Sequence, residues 1–253
     1  MFKLVFYRTL LSQSAASLTI GTIASVLKQK NYDSILIKLK KNSAKNGTLI
    51  SKECQKYPYI IAKPNFQDQE ELLPLLSSAK RNGLAKRVFL CGPFASLNNQ
   101  RIFKEYPEID GILLGACEKT ILALAKNITE NGDFTVNQKC IIKHGIWKDP
   151  QSHKFFRGDN EKDYDLITIP EPNRDIEKGE KSYLANIEFS RGCINSCSFC
   201  HIPALRKLNC CDYQIKDCAS IIKEIESLIA IGKKVLIFND SVFIVENVTR
   251  NGY

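Results

Sequence analysis

Phe189-Ser190-Arg191-Gly192-Cys193-Ile194-Asn195-Ser196-Cys197-Ser198-Phe199-Cys200 is the most informative run of the chain. Its cysteines follow the spacing Cys-x3-Cys-x2-Cys. Seven other cysteines, at 54, 91, 117, 140, 210, 211 and 218, are scattered. A disulfide framework suits a short secreted chain. This chain has 253 residues, 44% of them hydrophobic. The clustered thiols therefore predict a metal site in a reducing, cytoplasmic compartment. Three thiolates hold three irons of a cubane and leave the fourth open to a ligand. Structural zinc sites usually want four protein ligands. The fourth would be His201, Cys210 or Cys211, and His201 adjoins a ligand too closely to reach the same ion easily. The scattered cysteines are read as small core hydrophobes, Cys218 on an apolar helix stripe among them.

The neighbours of this run place it between regular elements. Leu184–Phe189 reads as a strand running straight into the cysteine loop. Ile215, Cys218, Ile221-Ile222, Ile225 and Leu228-Ile229 make a helical stripe that starts near Asp212 and stops at Gly232. Val235–Phe238 is the next strand and ends in Asn239-Asp240. Upstream, residues 131–182 carry Trp147, Pro150, Pro170 and Pro172 with little sustained periodicity, which predicts a linker with one hairpin. Residues 1–130 alternate strands (Phe2–Tyr7, Ser34–Leu39, Tyr59–Ala62, Arg87–Cys91, Gly111–Leu114) with helices (Leu18–Lys30, Gln69–Arg81, Glu118–Lys126). Such alternation predicts an α/β fold, an open and mostly parallel Rossmann-like sheet with helices on both faces. Ligands of such sheets bind at the carboxyl ends of the strands.

Charge narrows the partners. The net charge is +9, but residues 1–50 hold eight basic residues and one acidic, and the remainder is nearly balanced. Aromatic residues do not interleave the basic ones, so a solvated face is expected rather than a nucleic-acid surface. Thr9 to Leu27 is uncharged, but serines, threonines and Gln13 interrupt it. An amphipathic helix is expected there, with no membrane span.

The cysteine triplet, with aromatic Phe199 before its last member, resembles the motif of the radical S-adenosylmethionine (SAM) superfamily. Arg191-Gly192-Cys193 resembles the lead-in of the cobalamin-dependent branch. Cys91-Gly92-Pro93-Phe94-Ala95-Ser96 resembles that branch's Gly-Gly-Pro-His-x-Thr turn. Asp110 to Glu118 resembles its Asp-x-x-x-x-Gly-Glu-Gly-Glu segment. Pro172-Asn173-Arg174-Asp175 resembles its linker Pro-x-Arg-Asp, and Asn239-Asp240-Ser241-Val242-Phe243 its Asp-Asp-x-x-Phe. The resemblance implies a 4Fe–4S cluster on Cys193, Cys197 and Cys200, with SAM on the open iron. It implies cofactor contacts at Phe199, Gly92, Gly115, Glu118 and Asp240. The implied chemistry is reductive cleavage of SAM to a 5′-deoxyadenosyl radical, with cobalamin-dependent methyl transfer or a related modification following. A reductant such as flavodoxin or ferredoxin would supply the electron. Neither the substrate nor a catalytic residue is identified.

The departures from the pattern are specific. Cys91 stands for glycine, Phe94 for histidine, and Ala116-Cys117 for Glu-Gly. No Asp-x-His-x-x-Gly motif offers a lower ligand to cobalt, and some members of the branch resemble the chain in this. About two strands and one helix of the radical SAM (β/α) barrel are expected in residues 183–253, against the ~250 residues of a complete β/α barrel. That predicts a fragment, a barrel completed by a second chain, or a protein that binds cofactor or partner without turnover. Cys200-His201-Ile202-Pro203-Ala204-Leu205-Arg206 also resembles a Cys-x-x-Pro-x-x-Arg stretch of the radical SAM methylthiotransferases. Those enzymes hold a second cluster on three N-terminal cysteines. Cys54, Cys91 and Cys117 match the flanks of those three poorly.

Overall fold

The computed structural model describes residues 1–8, 18–40, 42–52, 55–115, 117–137, 141–159, 166–175, 183–208 and 213–243. Cys54, Cys140, Cys210, Cys211 and Ala116 lie outside them. In chain order the first elements are β1 (Phe2–Arg8), α1 (Leu18–Gln29), β2 (Ser34–Lys40), α2 (Asn46–Ser51) and β3 (Tyr59–Lys63). Then come α3 (Gln69–Arg81), β4 (Arg87–Leu90), α4 (Pro93–Leu97), α5 (Asn99–Glu105), β5 (Gly111–Leu113) and α6 (Glu118–Asn131). A hairpin of β6 (Gly145–Lys148) and β7 (Phe155–Arg157) follows.

The sheet order is β2-β1-β3-β4-β5-β6-β7. The first five strands are parallel, and the hairpin adds two antiparallel strands beside β5. Both faces are covered, as a parallel sheet requires. Successive side chains alternate between faces. Accordingly Phe2, Leu4 and Phe6 join α1 and α6 in one core, and Val5 joins α3 in the other. The chain turns back on itself between β1 and β3, so the carboxyl ends of these two strands flank the topological switch point where ligands of open α/β sheets bind.

The hairpin expected within 131–182 is therefore part of the sheet. Its anchor is Trp147, fully buried against Phe89 and Phe134 at centroid distances of 6.0 and 5.7 Å. The indole Nε1 donates to the carbonyl of Ile142 at 2.7 Å. Gly111 faces Trp147 across the ladder, and a Cβ there would lie 2.6 Å from the ring.

The remaining elements are β8 (Leu184–Ile187), β9 (Ser190–Arg191), α7 (His201–Lys207), β10 (Gln214–Ile215), α8 (Cys218–Ala230) and β11 (Val235–Phe238). β8 and β11 are parallel, in the strand–helix–strand order expected of a β/α barrel's start, with α8 packed on them through Ile221 and Leu228. Cys218 departs from expectation. It opens α8 on the exposed side and is not core, because the buried stripe of the helix is Ile221, Glu224 and Leu228. The amino end of α8 is capped by Asp217, whose Oδ1 accepts from the backbone N–H of Ser220 at 2.9 Å. Asp217→Ala is expected to cost about 1 kcal/mol, read as a lowered urea midpoint of the full chain. An unchanged midpoint would remove the cap from the account.

The Pro-x-Arg-Asp stretch fastens the two parts together. Asn173 N–H donates to the Gly21 carbonyl at 2.9 Å, and Ser25 Oγ donates to the Glu171 carbonyl at 2.6 Å. A Cβ on Gly21 would sit 3.0 Å from the Asn173 oxygen, so glycine permits this approach to α1. On the other side, Arg174 donates to the Asn186 carbonyl at 2.7 Å and to Glu224 at 2.8 Å, and Lys216 pairs with Glu224 at 3.0 Å. No described helix is long and apolar enough to cross a membrane.

Candidate functional site at the carboxyl edge of the sheet and the cysteine loop

The cysteine loop leaves the carboxyl end of β8 and is held by its own charged residues. Asp240, just past β11, accepts from Phe189 N–H at 3.1 Å and from Ser190 Oγ at 2.7 Å, and also from Ser190 N–H. The carboxylate expected to reach a cofactor is thus engaged in fixing the loop's root. Gly192 turns the chain at φ 89°. Cys193 is buried, Cys200 partly buried and Cys197 exposed. Cys193 Sγ accepts from the N–H of Asn195 at 3.4 Å. From α7, Arg206 donates to the carbonyls of Cys193 and Ile194 at 2.9 and 3.0 Å and to Ser196 Oγ at 2.7 Å. Phe199 stands open, at 92% exposure.

The three sulfurs are not drawn together. Among the described residues, no three Cys, His, Asp or Glu side chains are gathered as a metal-binding group. The chemistry of the donors nevertheless fits an iron–sulfur cluster. Three unpaired thiols stand on one loop with its backbone clamped by Arg206. The Asn195 N–H is the kind of donor to sulfur that tunes such clusters.

Arg191 joins this loop to the N-terminal sheet. It donates to Glu188 through Nε and one terminal nitrogen, at 2.9 and 2.6 Å. Its other terminal nitrogen donates to Glu118 at 2.8 Å. Glu118 opens α6, and its side chain is only 6% exposed. Its second oxygen, Oε2, is buried without a hydrogen-bond partner. Carboxylates are favoured at a helix amino end, which suits Glu118 to this place.

Beside Glu118 lie the other residues marked in the sequence. Gly92 follows β4 with φ 90°, and Gly115 follows β5 with φ 59°. Ser96 links the two turns, donating to the Gly92 carbonyl at 2.9 Å and accepting from Gly115 N–H at 3.1 Å. Cys91 and Cys117 are fully buried between them. A hydrogen bond with the Cys91 thiol, together with burial, pushes the Cys117 thiol well above its ordinary range. Both cysteines behave as the small buried residues expected. The structure thus brings Gly92, Gly115 and Glu118 to one edge with the root of the cysteine loop, while Phe199 stands apart. α4 packs against α7 across this junction.

Lys63 was not marked in the sequence. It ends β3, where a lysine ordinarily marks a strand running out into solvent. Here its aliphatic stem lies across Gly92, where an added Cβ would be 3.0 Å from Cγ. Burial holds its ammonium below the ordinary lysine range, opposed by Cys91, Cys117, Glu188 and Asp68. At this edge Glu118 Oε2 lacks a hydrogen-bond partner, and the face of Gly92 is covered by a flexible lysine stem rather than by backbone.

No protein-family model matches the chain, and no curated protein matches it. Solved structures do. One is the radical S-adenosylmethionine methyltransferase TsrM from Kitasatospora setae, with tryptophan substrate and the SAM analogue aza-SAM bound. The likeness has a TM-score of 0.71 at 16% identity and covers 95% of this chain and 47% of that one. Another is the apo form of OxsB, a cobalamin-dependent S-adenosylmethionine radical enzyme, with a TM-score of 0.74 at 19% identity over 99% of this chain and 35% of that one. The chain shares the fold of these two enzymes over this region, and spans less than half the length of either.

Proposed function

We propose that the chain is the cobalamin-binding and cluster-binding portion of a radical SAM enzyme that carries out methyl transfer or a related radical modification. One observation carries this reading. The loop bearing Cys193, Cys197 and Cys200 leaves the carboxyl end of β8 and is tied by Arg191 to Glu118 at the carboxyl edge of the N-terminal sheet. A cofactor on the loop and a ligand at the sheet edge would then face one another across that ion pair.

Cys193, Cys197 and Cys200 would hold a 4Fe–4S cluster, and Gly92, Gly115 and Glu118 would border the cobalamin. Bound together, these groups supply one-electron cleavage of SAM and a carrier for the methyl group, while protein supplies position and shelter. Arg206 fixes the backbone between the first two ligands. Arg191 bridges the carboxylates of Glu118 and Glu188 beside the cluster loop. Exposed Cys197 and Phe199 leave the outer side of the loop open to a reductant such as flavodoxin or ferredoxin. Val235, Ile237 and Phe238 of β11 are exposed apolar positions on an open strand edge. Further barrel strands, from this protein or from a second chain, would cover them and bring the rest of the substrate pocket.

Replacing one ligand tests the reading. Anaerobically reconstituted protein is expected to hold about four irons per chain. Cys197→Ala is expected to lose most of them and the brown colour, while the exposed position keeps the chain soluble. Iron unaffected by Cys197→Ala would contradict the assignment.

A further inference from the structure

We propose that a cleft between residues 166–171 and α8 takes a small aliphatic monocarboxylate, held by the ammonium of Lys216. The proposal is independent of the cluster and cobalamin reading. The cleft has a volume of about 150 Å³. A cavity of that size takes a ligand of about six non-hydrogen atoms, as benzene has. Two segments line it with unlike chemistry. Leu166, Ile169 and Pro170 give an apolar wall on the chain that leads into the Pro-x-Arg-Asp stretch. Lys216, just past β10, and Glu224 of α8 give buried charged groups. Lys223 and Glu171 add an ion pair at 3.9 Å, which sits at the rim because the Lys223 side chain is 77% exposed.

Lys216 sets the chemistry of the cleft. Its side chain is only 8% exposed. An ammonium carries three donors, and a buried one needs acceptors for them. Among the described residues Nζ meets one, Glu224 Oε2, at 3.0 Å. The other oxygen of that carboxylate accepts from Arg174 at 2.8 Å. One carboxylate therefore serves two cations, and the group keeps one positive charge in excess. Asp217 is engaged elsewhere, accepting from Ser220 N–H and Oγ at the amino end of α8 at 2.9 and 2.7 Å. The rim pair is balanced within itself. A monoanion matches the excess charge, and a short alkyl chain matches the wall of Leu166, Ile169 and Pro170. A carboxylate oxygen would accept from Lys216 Nζ, with no bond broken and no electron transferred. An occupant would brace the segment that joins the two parts of the chain, since the Glu171 carbonyl also accepts from Ser25 of α1 at 2.6 Å.

Calorimetric titration of the full chain with butyrate tests this. Saturable binding is expected, about tenfold tighter than for acetate, which lacks two methylenes to bury. Neutral butyramide is expected to bind about tenfold more weakly than butyrate, because it forgoes a charged hydrogen bond. Lys216→Met, in which Arg174 still holds Glu224, is expected to weaken butyrate by about tenfold. Lys223→Ala at the rim is expected to change the affinity by less than about twofold. No butyrate binding by the native chain overturns the proposal. So does butyramide or inorganic phosphate bound as tightly as butyrate, or an affinity for butyrate unchanged in Lys216→Met. The comparison among ligands needs no variant, so it decides the matter even where Lys216→Met fails to fold. Iron content tests the cluster reading separately, and neither result depends on the other.

Discussion

Trp147→Ala is expected to cost about 4 kcal/mol, within the usual range for removing a buried aromatic. The indole is fully buried, contacts Phe89 and Phe134, and donates to the Ile142 carbonyl. Gly111 and Gly145 leave the ring its space, so truncation opens a void that backbone on either side cannot readily fill. The variant also frees the hairpin, because β6 meets the sheet through Trp147 and its neighbours. Urea denaturation of the full chain reads the loss. A change under 1 kcal/mol would show that the hairpin contributes little to the N-terminal core.

Arg191→Ala is the second large effect. It leaves Glu118 and Glu188, 6% and 16% exposed, without their shared cation. Removing one partner of a buried ion pair costs about 3–5 kcal/mol, and the 18% exposure of Arg191 puts the expected loss near the lower end. The effects of Arg191→Ala and Glu118→Gln should not add. A double-mutant cycle is expected to show coupling above about 1 kcal/mol, since the two share one contact. Additive effects would mean that the loop and the sheet edge are independent. That would remove the physical link on which the composite site depends.

Much of the fold was legible because its signals are local. The helix Gln69–Arg81 and the strand Val235–Phe238 stand where periodicity placed them, and the parallel α/β sheet follows from their alternation. The hairpin's role was hidden, because Trp147 is buried against Phe89 and Phe134 and across from Gly111, residues distant in sequence, rather than by any local pattern. α4 and α5 were missed behind the Gly92-Pro93 turn and the paired Asn98-Asn99, residues that usually punctuate rather than build helices. α7 was missed because it is only seven residues long and carries Pro203, a residue that usually punctuates helices. α6 runs to Asn131, beyond the Lys126 that its apolar stripe suggested, and ends where Gly132 takes the left-handed conformation.

The site divides the same way. The cysteine spacing and the glycines at 92 and 115 are written in short motifs. The tie from Arg191 to Glu118 spans 73 residues and needs the fold to bring its ends together. Cys218 was misplaced because it borders the apolar stripe of α8 without belonging to it. Asp240 serves the loop backbone, a role that residue type cannot distinguish from cofactor contact. Lys63 was invisible because a lysine at a strand end is commonly solvated, and only the packing over Gly92 makes this one different.

The central claim is a cluster on Cys193, Cys197 and Cys200 with one iron open to SAM. Its most direct test is the electron paramagnetic resonance spectrum of the anaerobically reconstituted, reduced chain, recorded before and after SAM is added. The account predicts one cluster signal per chain whose g-values shift with SAM. No cluster, or a signal indifferent to SAM, would contradict it.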